Sequence, residues 1–128
     1  MNAAVGLRGE ARMVVEQSDT ARAVGSGDVD VLATPRLLAL FEQATVDALV
    51  GILEPGQSTV GMRVQIDHLQ PTPVGAEVSA EAHLERIDGR RMTFTVTASD
   101  SGGLVAAGKV TRVAVDVSRF MTKCCKCD

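Results

Sequence analysis

The chain has 128 residues, a net charge of −3, 45% hydrophobic residues and 2% aromatic residues. That length makes one domain with a core of its own over residues 1–128, and no linker-like or repeated stretch divides it. An acidic balance without tyrosine or tryptophan supplies neither a basic stripe nor stacking rings, which argues against a nucleic-acid partner. Residues 1–9 lack a charged start followed by an apolar core, and no apolar run approaches the length of a membrane span. A soluble, cytoplasmic protein is therefore expected.

Ala11 to Glu16 contains a short apolar run, Met13 to Val15, that suits an edge strand. Ala23 to Leu32 mixes glycine, serine and aspartate with alternating valines, the pattern of a loop that could wall a pocket. Thr34 to Leu53, TPRLLALFEQATVDALVGIL, is the one long helical pattern. The Thr34 hydroxyl can cap an orphan N–H, and proline is pre-set for the first helical position at Pro35. At about 100° per residue, Arg36, Gln43 and Asp47 share a narrow polar side. Leu37, Leu38, Leu40, Phe41, Ala44, Ala48, Leu49 and Ile52 cover the rest, so the helix should be mostly buried. Glu42 falls inside the apolar arc, between Leu38, Leu49 and Leu53. A carboxylate there either snorkels or finds a structural partner at a helix–sheet or subunit boundary, or serves chemistry.

Glu54-Pro55-Gly56 stops the helix, and from Val60 the period becomes two. Strict alternation places Val60, Met62, Val64, Ile66 and His68 on one face and Gly61, Arg63, Gln65 and Asp67 on the other. His68 is then the polar end of an apolar face, either a core histidine satisfied by a carbonyl or a functional base. Gln70-Pro71-Thr72-Pro73 breaks the strand. Glu77 to Ile87 alternates with His83 on its polar side, Asp88-Gly89 signals a hairpin into Met92 to Ser99, and a second turn leads into Leu104 to Val117. Gly108 inside that last strand marks a bulge or a close contact. The order is α+β, with one long helix laid on an antiparallel sheet. The three cysteines close the chain in KCCKCD; Cys124 and Cys127 have C-x-x-C spacing, but three thiols without a nearby histidine fall short of a four-ligand structural zinc site. No metal is expected, and residues 121–128 read as a tail of free thiols behind a core of about 11–120.

Several separate spacings carry a resemblance over roughly Ala11 to Phe120: Ala33-Thr34, Leu40-Phe41-Glu42-Gln43-Ala44, Leu53-Glu54-Pro55-Gly56, Val60-Gly61, His68, Thr72-Pro73 and Gly89-Arg90-Arg91. In these the chain resembles the hot-dog thioesterases of the fluoroacetyl-CoA thioesterase type. The resemblance implies a hot-dog fold, an antiparallel sheet wrapped around one long central helix, in a homodimer joined edge to edge. It implies a catalytic set at Thr34, Glu42 and His68, and a backbone contact to the thioester carbonyl at Gly61. The fluoroacetyl-specific enzymes carry aromatic residues that gate the pocket before the threonine, whereas Val24 to Ala33 has none. A small or medium acyl-CoA is the expected substrate, with CoA as part of it and no separate cofactor.

The chemistry can be argued without the resemblance. Thioester hydrolysis needs an activated oxygen and donors aimed at the developing oxyanion. His68 can be the base, Thr34 lies at the positive end of the helix, and Gly61 lets a carbonyl approach the main chain. Glu42 can orient His68, attack the thioester, or activate water. Eight helical residues rise roughly 12 Å, so Thr34 and Glu42 should not touch within one straight helix. A bridging substrate or a dimer axis would bring them to one reaction. Arg90, Arg91, Arg63 and Lys109 are candidates for the CoA phosphates, against the ordinary reading of such residues as solvated surface. An enoyl-thioester hydratase and a non-catalytic acyl-thioester-binding domain are the alternatives.

Overall fold

The computed structural model describes residues 3–124. Five strands, β1 (Arg8–Val14), β2 (Gln57–His68), β3 (Glu77–Asp88), β4 (Arg91–Asp100) and β5 (Gly103–Asp116), form one antiparallel sheet in the order β1-β3-β4-β5-β2. Ahead of the long helix come a 3-10 turn, Gln17–Asp19, and a short helix α1 (Ala21–Val24); α2 spans Thr34–Ala48 and α3 spans Val117–Cys124. Leu37, Leu40, Phe41, Ala44 and Ala48 of α2 are buried against inward residues of the sheet such as Val78, Ala80, Leu84, Phe94 and Val96. This is the hot-dog arrangement, a curled sheet around one central helix.

Three local features depart from the periodicity. Ala33 is the N-cap of α2 and makes no side-chain cap bond, while Thr34 is already helical and its hydroxyl is engaged elsewhere. The helix ends at Ala48 and not near Leu53: the Leu49 N–H turns back to the Val46 carbonyl, and Gly51 adopts φ 77° in the turn that follows. In β2 the register against β5 steps from Gly61 opposite Arg112 to Arg63 opposite Thr111, so Met62 is the extra residue of a bulge. The bulge breaks the alternation. Met62 is 42% exposed, and Gly61 faces the helix side together with Val64, Ile66 and His68.

Gly108 marks a close approach to Gln65 and Ile66 of β2, not a bulge. Residues 121–124, expected as tail, belong to α3; Cys124 is an exposed free thiol, and Cys125 and Cys127 lie outside the described residues. β1 and β2 are the sheet edges, and β2 is a twelve-residue edge strand with Gly61, Met62, Arg63, Gln65 and Asp67 all exposed. No helix among the described residues is long and apolar enough to cross a membrane.

Candidate active site

Three hydrogen bonds deliver the chain to Thr34. The Ala21 N–H reaches the Val31 carbonyl, the Leu32 N–H reaches the Thr72 carbonyl, and the Ala33 N–H reaches the Asp19 carbonyl. Arg36, on the first turn of α2, pairs with Asp19 at 3.1 Å and fixes the same junction from the helix side. Thr34 is thereby set against the end of β2, where its Oγ1 lies 2.8 Å from Nδ1 of His68. That is the separation of a hydroxyl and the base that would take its proton. Both side chains open on a cavity of about 350 Å³ whose walls include Ala21, Gly27, Val29, Val31, Leu69 and Pro71. Pro35 has no N–H, and those of Arg36 and Leu37 are both taken by the Ala33 carbonyl, so the first turn offers fewer oxyanion donors than its position suggested.

Glu42 lies elsewhere. Its Oε2 is 3.3 Å from the Arg112 guanidinium, and a Cβ placed on Gly61 would come within 2.4 Å of the same oxygen. Only glycine leaves the carboxylate room to rest against β2 at that point. With Ala39, Gln43, Val46 and Arg112, Glu42 lines a second cavity of about 410 Å³. Within one chain the four residues thus form two half-sites, Thr34 with His68 and Glu42 with Gly61. Gly61 and His68 stand on the same face of one strand, on the order of 20 Å apart at the usual rise.

Arg90 and Arg91 join neither half-site. Arg91 lines a cleft of about 260 Å³ on the outer face of the sheet with Arg63, Arg86 and Lys109, and Arg90 lines another cavity with Arg119 and Lys123 of α3. His83 is exposed on the outer face near Glu81. Arg112 is absent from the sequence reading. The available signal was a charge at the inward position of β5 between Val110 and Ala114, the same anomaly that singles out Glu42.

Burial holds His68 below the ordinary histidine value of 6.5, opposed by a backbone hydrogen bond with Gln70. Its Nε2 is enclosed and has no hydrogen-bond partner among the described residues. The neutral ring that can accept the Thr34 proton therefore persists to lower pH than in a free histidine. If His68 is the base, kcat/KM should fall on the acid side through a midpoint below 6.5. A midpoint above that value, with the acyl-CoA titration otherwise flat, would assign the limb to another group.

The geometry has close parallels among known proteins. Residues 15–118 match the model of the fluoroacetyl-CoA-specific thioesterase family. The chain is 32% identical over 94 residues to the fluoroacetyl-CoA thioesterase of Streptantibioticus cattleyicolor, covering 73% of this chain and 68% of that one. A solved structure of a fluoroacetyl-CoA thioesterase superposes with a TM-score of 0.91 at 28% identity, over 100% of this chain and 99% of the other. A thioesterase superfamily member from Thermus thermophilus superposes with a TM-score of 0.89 at 25% identity, over 96% and 92% of the two chains. A variant of the fluoroacetyl-CoA-specific thioesterase, solved with fluoroacetate and CoA, gives 0.87 at 29% identity, over 92% of this chain and 99% of that one. With its family model matched from Val15 to Ser118 and its hot-dog sheet closed around α2, the chain belongs to the fluoroacetyl-CoA-specific thioesterase family and is a hot-dog thioesterase.

Proposed function

We propose that the protein hydrolyses a small or medium acyl-CoA to the free acid and CoA, with Thr34, Glu42 and His68 as its catalytic groups. The 2.8 Å contact between the Thr34 hydroxyl and His68 Nδ1 carries this reading, because it pairs a nucleophile with a base inside a cavity. His68 takes a proton from Thr34 or from a water that Thr34 holds. Gly61, open along its main chain, receives the thioester oxygen, and Glu42 beside it attacks, activates water or stabilises charge. The reaction breaks the C–S bond and leaves CoA as the thiol, so no cofactor beyond the substrate's own CoA is called for.

The acyl cavity favours a small or medium acyl group over the fluoroacetyl group named in the relatives. No aromatic side chain stands between Val24 and Ala33, and Val29, Val31 and Leu69 leave about 350 Å³. Arg90 and Arg91 are the proposed phosphate contacts of CoA, each in a basic cleft outside the acyl cavity, Arg91 with Arg63, Arg86 and Lys109 and Arg90 with Arg119 and Lys123. The exposed free thiol of Cys124 suits a reducing compartment, in keeping with a cytoplasmic setting.

A homodimer completes the site on this reading. β2 is an exposed edge, and antiparallel pairing of two such edges about a two-fold axis at Gln65, with Met62 bulging in each strand, sets Gly61 of one chain beside His68 of the other. Glu42 of one chain would then serve Thr34 and His68 of its partner. Light scattering should report twice the chain mass at micromolar concentration, and a clean monomer that hydrolyses acyl-CoA would sink the shared site. Thiol release from acetyl-, propionyl-, butyryl- and hexanoyl-CoA, followed with a thiol reagent, tests the activity itself. Release with one of these supports the reading, and binding of all four without release overturns it.

A further inference from the structure

We propose that the Thr72 hydroxyl and the Asp100 carboxylate form a latch that fixes the gap between the two walls of the acyl cavity, so that Thr72 is a positioning residue that sets which acyl lengths fit. The inference rests on the reading of that cavity as the acyl site. One wall is the stretch before Thr34, with Val29 and Val31, and the other is the stretch after His68, with Leu69 and Pro71. The two walls meet at Thr72. Its carbonyl accepts the Leu32 N–H at 2.9 Å, and Val31 forms an antiparallel bridge with Pro73.

The second wall has few main-chain anchors of its own. The N–H groups of Leu69 and Gln70 both donate to the Val105 carbonyl, at 2.7 and 3.2 Å, which ties the start of the wall to β5. Pro71 and Pro73 have no N–H to give, so the far end depends on Thr72. The Thr72 side chain is fully buried, and its hydroxyl donates to Asp100 Oδ2 at 2.9 Å. The other carboxylate oxygen accepts the Gly102 N–H at 2.8 Å, which holds Asp100 in the turn between β4 and β5. Thr20 and Thr45, the other fully buried threonines among the described residues, donate to main-chain carbonyls three residues back. Thr72 instead reaches a charged side chain of another element, and a hydroxyl held by a carboxylate makes a stronger bond than one held by a carbonyl. Such a bond resists the parting of two elements, where the other two threonines only tighten a turn.

A longer acyl group must move the walls apart, and with the latch closed it must drag the β4–β5 turn along. The test uses the full-length protein and the ratio of kcat/KM for hexanoyl-CoA to that for acetyl-CoA, with thermal unfolding to confirm folded variants. Thr72→Val keeps the shape and removes the hydroxyl. Its ratio should rise about 10-fold, the worth of one charge-assisted hydrogen bond, mainly through a lower KM for hexanoyl-CoA. Thr72→Ser keeps the hydroxyl and should stay within about twofold of the wild-type ratio. Asp100→Ala removes the acceptor and should raise the ratio as Thr72→Val does, and the double variant should go no further, because both changes open the same bond.

An unchanged or lower ratio in Thr72→Val overturns the inference. So does an equal loss with both acyl-CoAs, the mark of support for the fold alone, and so does a Thr72→Ser enzyme that behaves like Thr72→Val. Should Thr72→Val not fold, Asp100→Ala decides the matter, and a wild-type ratio in that variant overturns the inference. A wild-type protein that hydrolyses no acyl-CoA removes the functional reading beneath it. An active wild type beside a Thr72→Val enzyme of unaltered selectivity removes this inference alone.

Discussion

Glu42→Gln is expected to lower hydrolysis of the best acyl-CoA by about 10³-fold or more, because the substitution keeps the shape and removes the charge that attack, proton transfer and electrostatic stabilisation all require. The amide can still accept a bond from Arg112, so thermal stability should change far less than activity. Thr34 separates the remaining roles. If its hydroxyl is the nucleophile, Thr34→Ser should retain substantial activity and Thr34→Ala should lose nearly all of it. If Glu42 or water attacks, Thr34→Ala loses only a hydrogen-bonding partner, and the fall is roughly 10-fold to 100-fold. Rapid-quench trapping shows where the acyl group goes, an ester on Thr34 in the first case and none in the second. Full activity in both Thr34→Ala and Glu42→Gln would falsify the site.

Much of this arrangement is legible in the residues. The helix of Thr34 to Ala48 and the strands after it follow from long, clean periods of about 3.6 and two, each strong enough that tertiary context does not override it. Glu42 is legible because a carboxylate inside an apolar arc breaks the pattern around it. The bulge at Met62 is not, since one inserted residue leaves no trace in composition, yet it turns Gly61 from the outer face to the side of Glu42 and His68. The separation of the half-sites is half legible: helical rise keeps Thr34 from Glu42, but that His68 joins Thr34 while Gly61 joins Glu42 depends on how β2 runs beneath α2. Arg112 carries the same signal as Glu42, a charge at an inward position between Val110 and Ala114, but Lys109 and Thr111 on the outward positions of the same strand make it less conspicuous.

His68→Ala should reduce kcat/KM by about 10²-fold or more, the usual worth of a general base, with the fold intact because His68 is only half-buried and sits at a strand end. His83→Ala is the control and should change little, since its side chain is 51% exposed on the outer face. A His68→Ala enzyme running at the wild-type rate removes the base assignment. The same variant also tests how the half-sites meet. Co-expressed with Glu42→Gln, it forms mixed dimers in which one site combines an intact Thr34 and His68 from one chain with an intact Glu42 from the other. Statistical mixing then restores about a quarter of wild-type activity from two crippled proteins, because half the dimers are mixed and each carries one whole site. If Glu42 serves the Thr34 and His68 of its own chain, every site in the mixture keeps one defect and no activity returns.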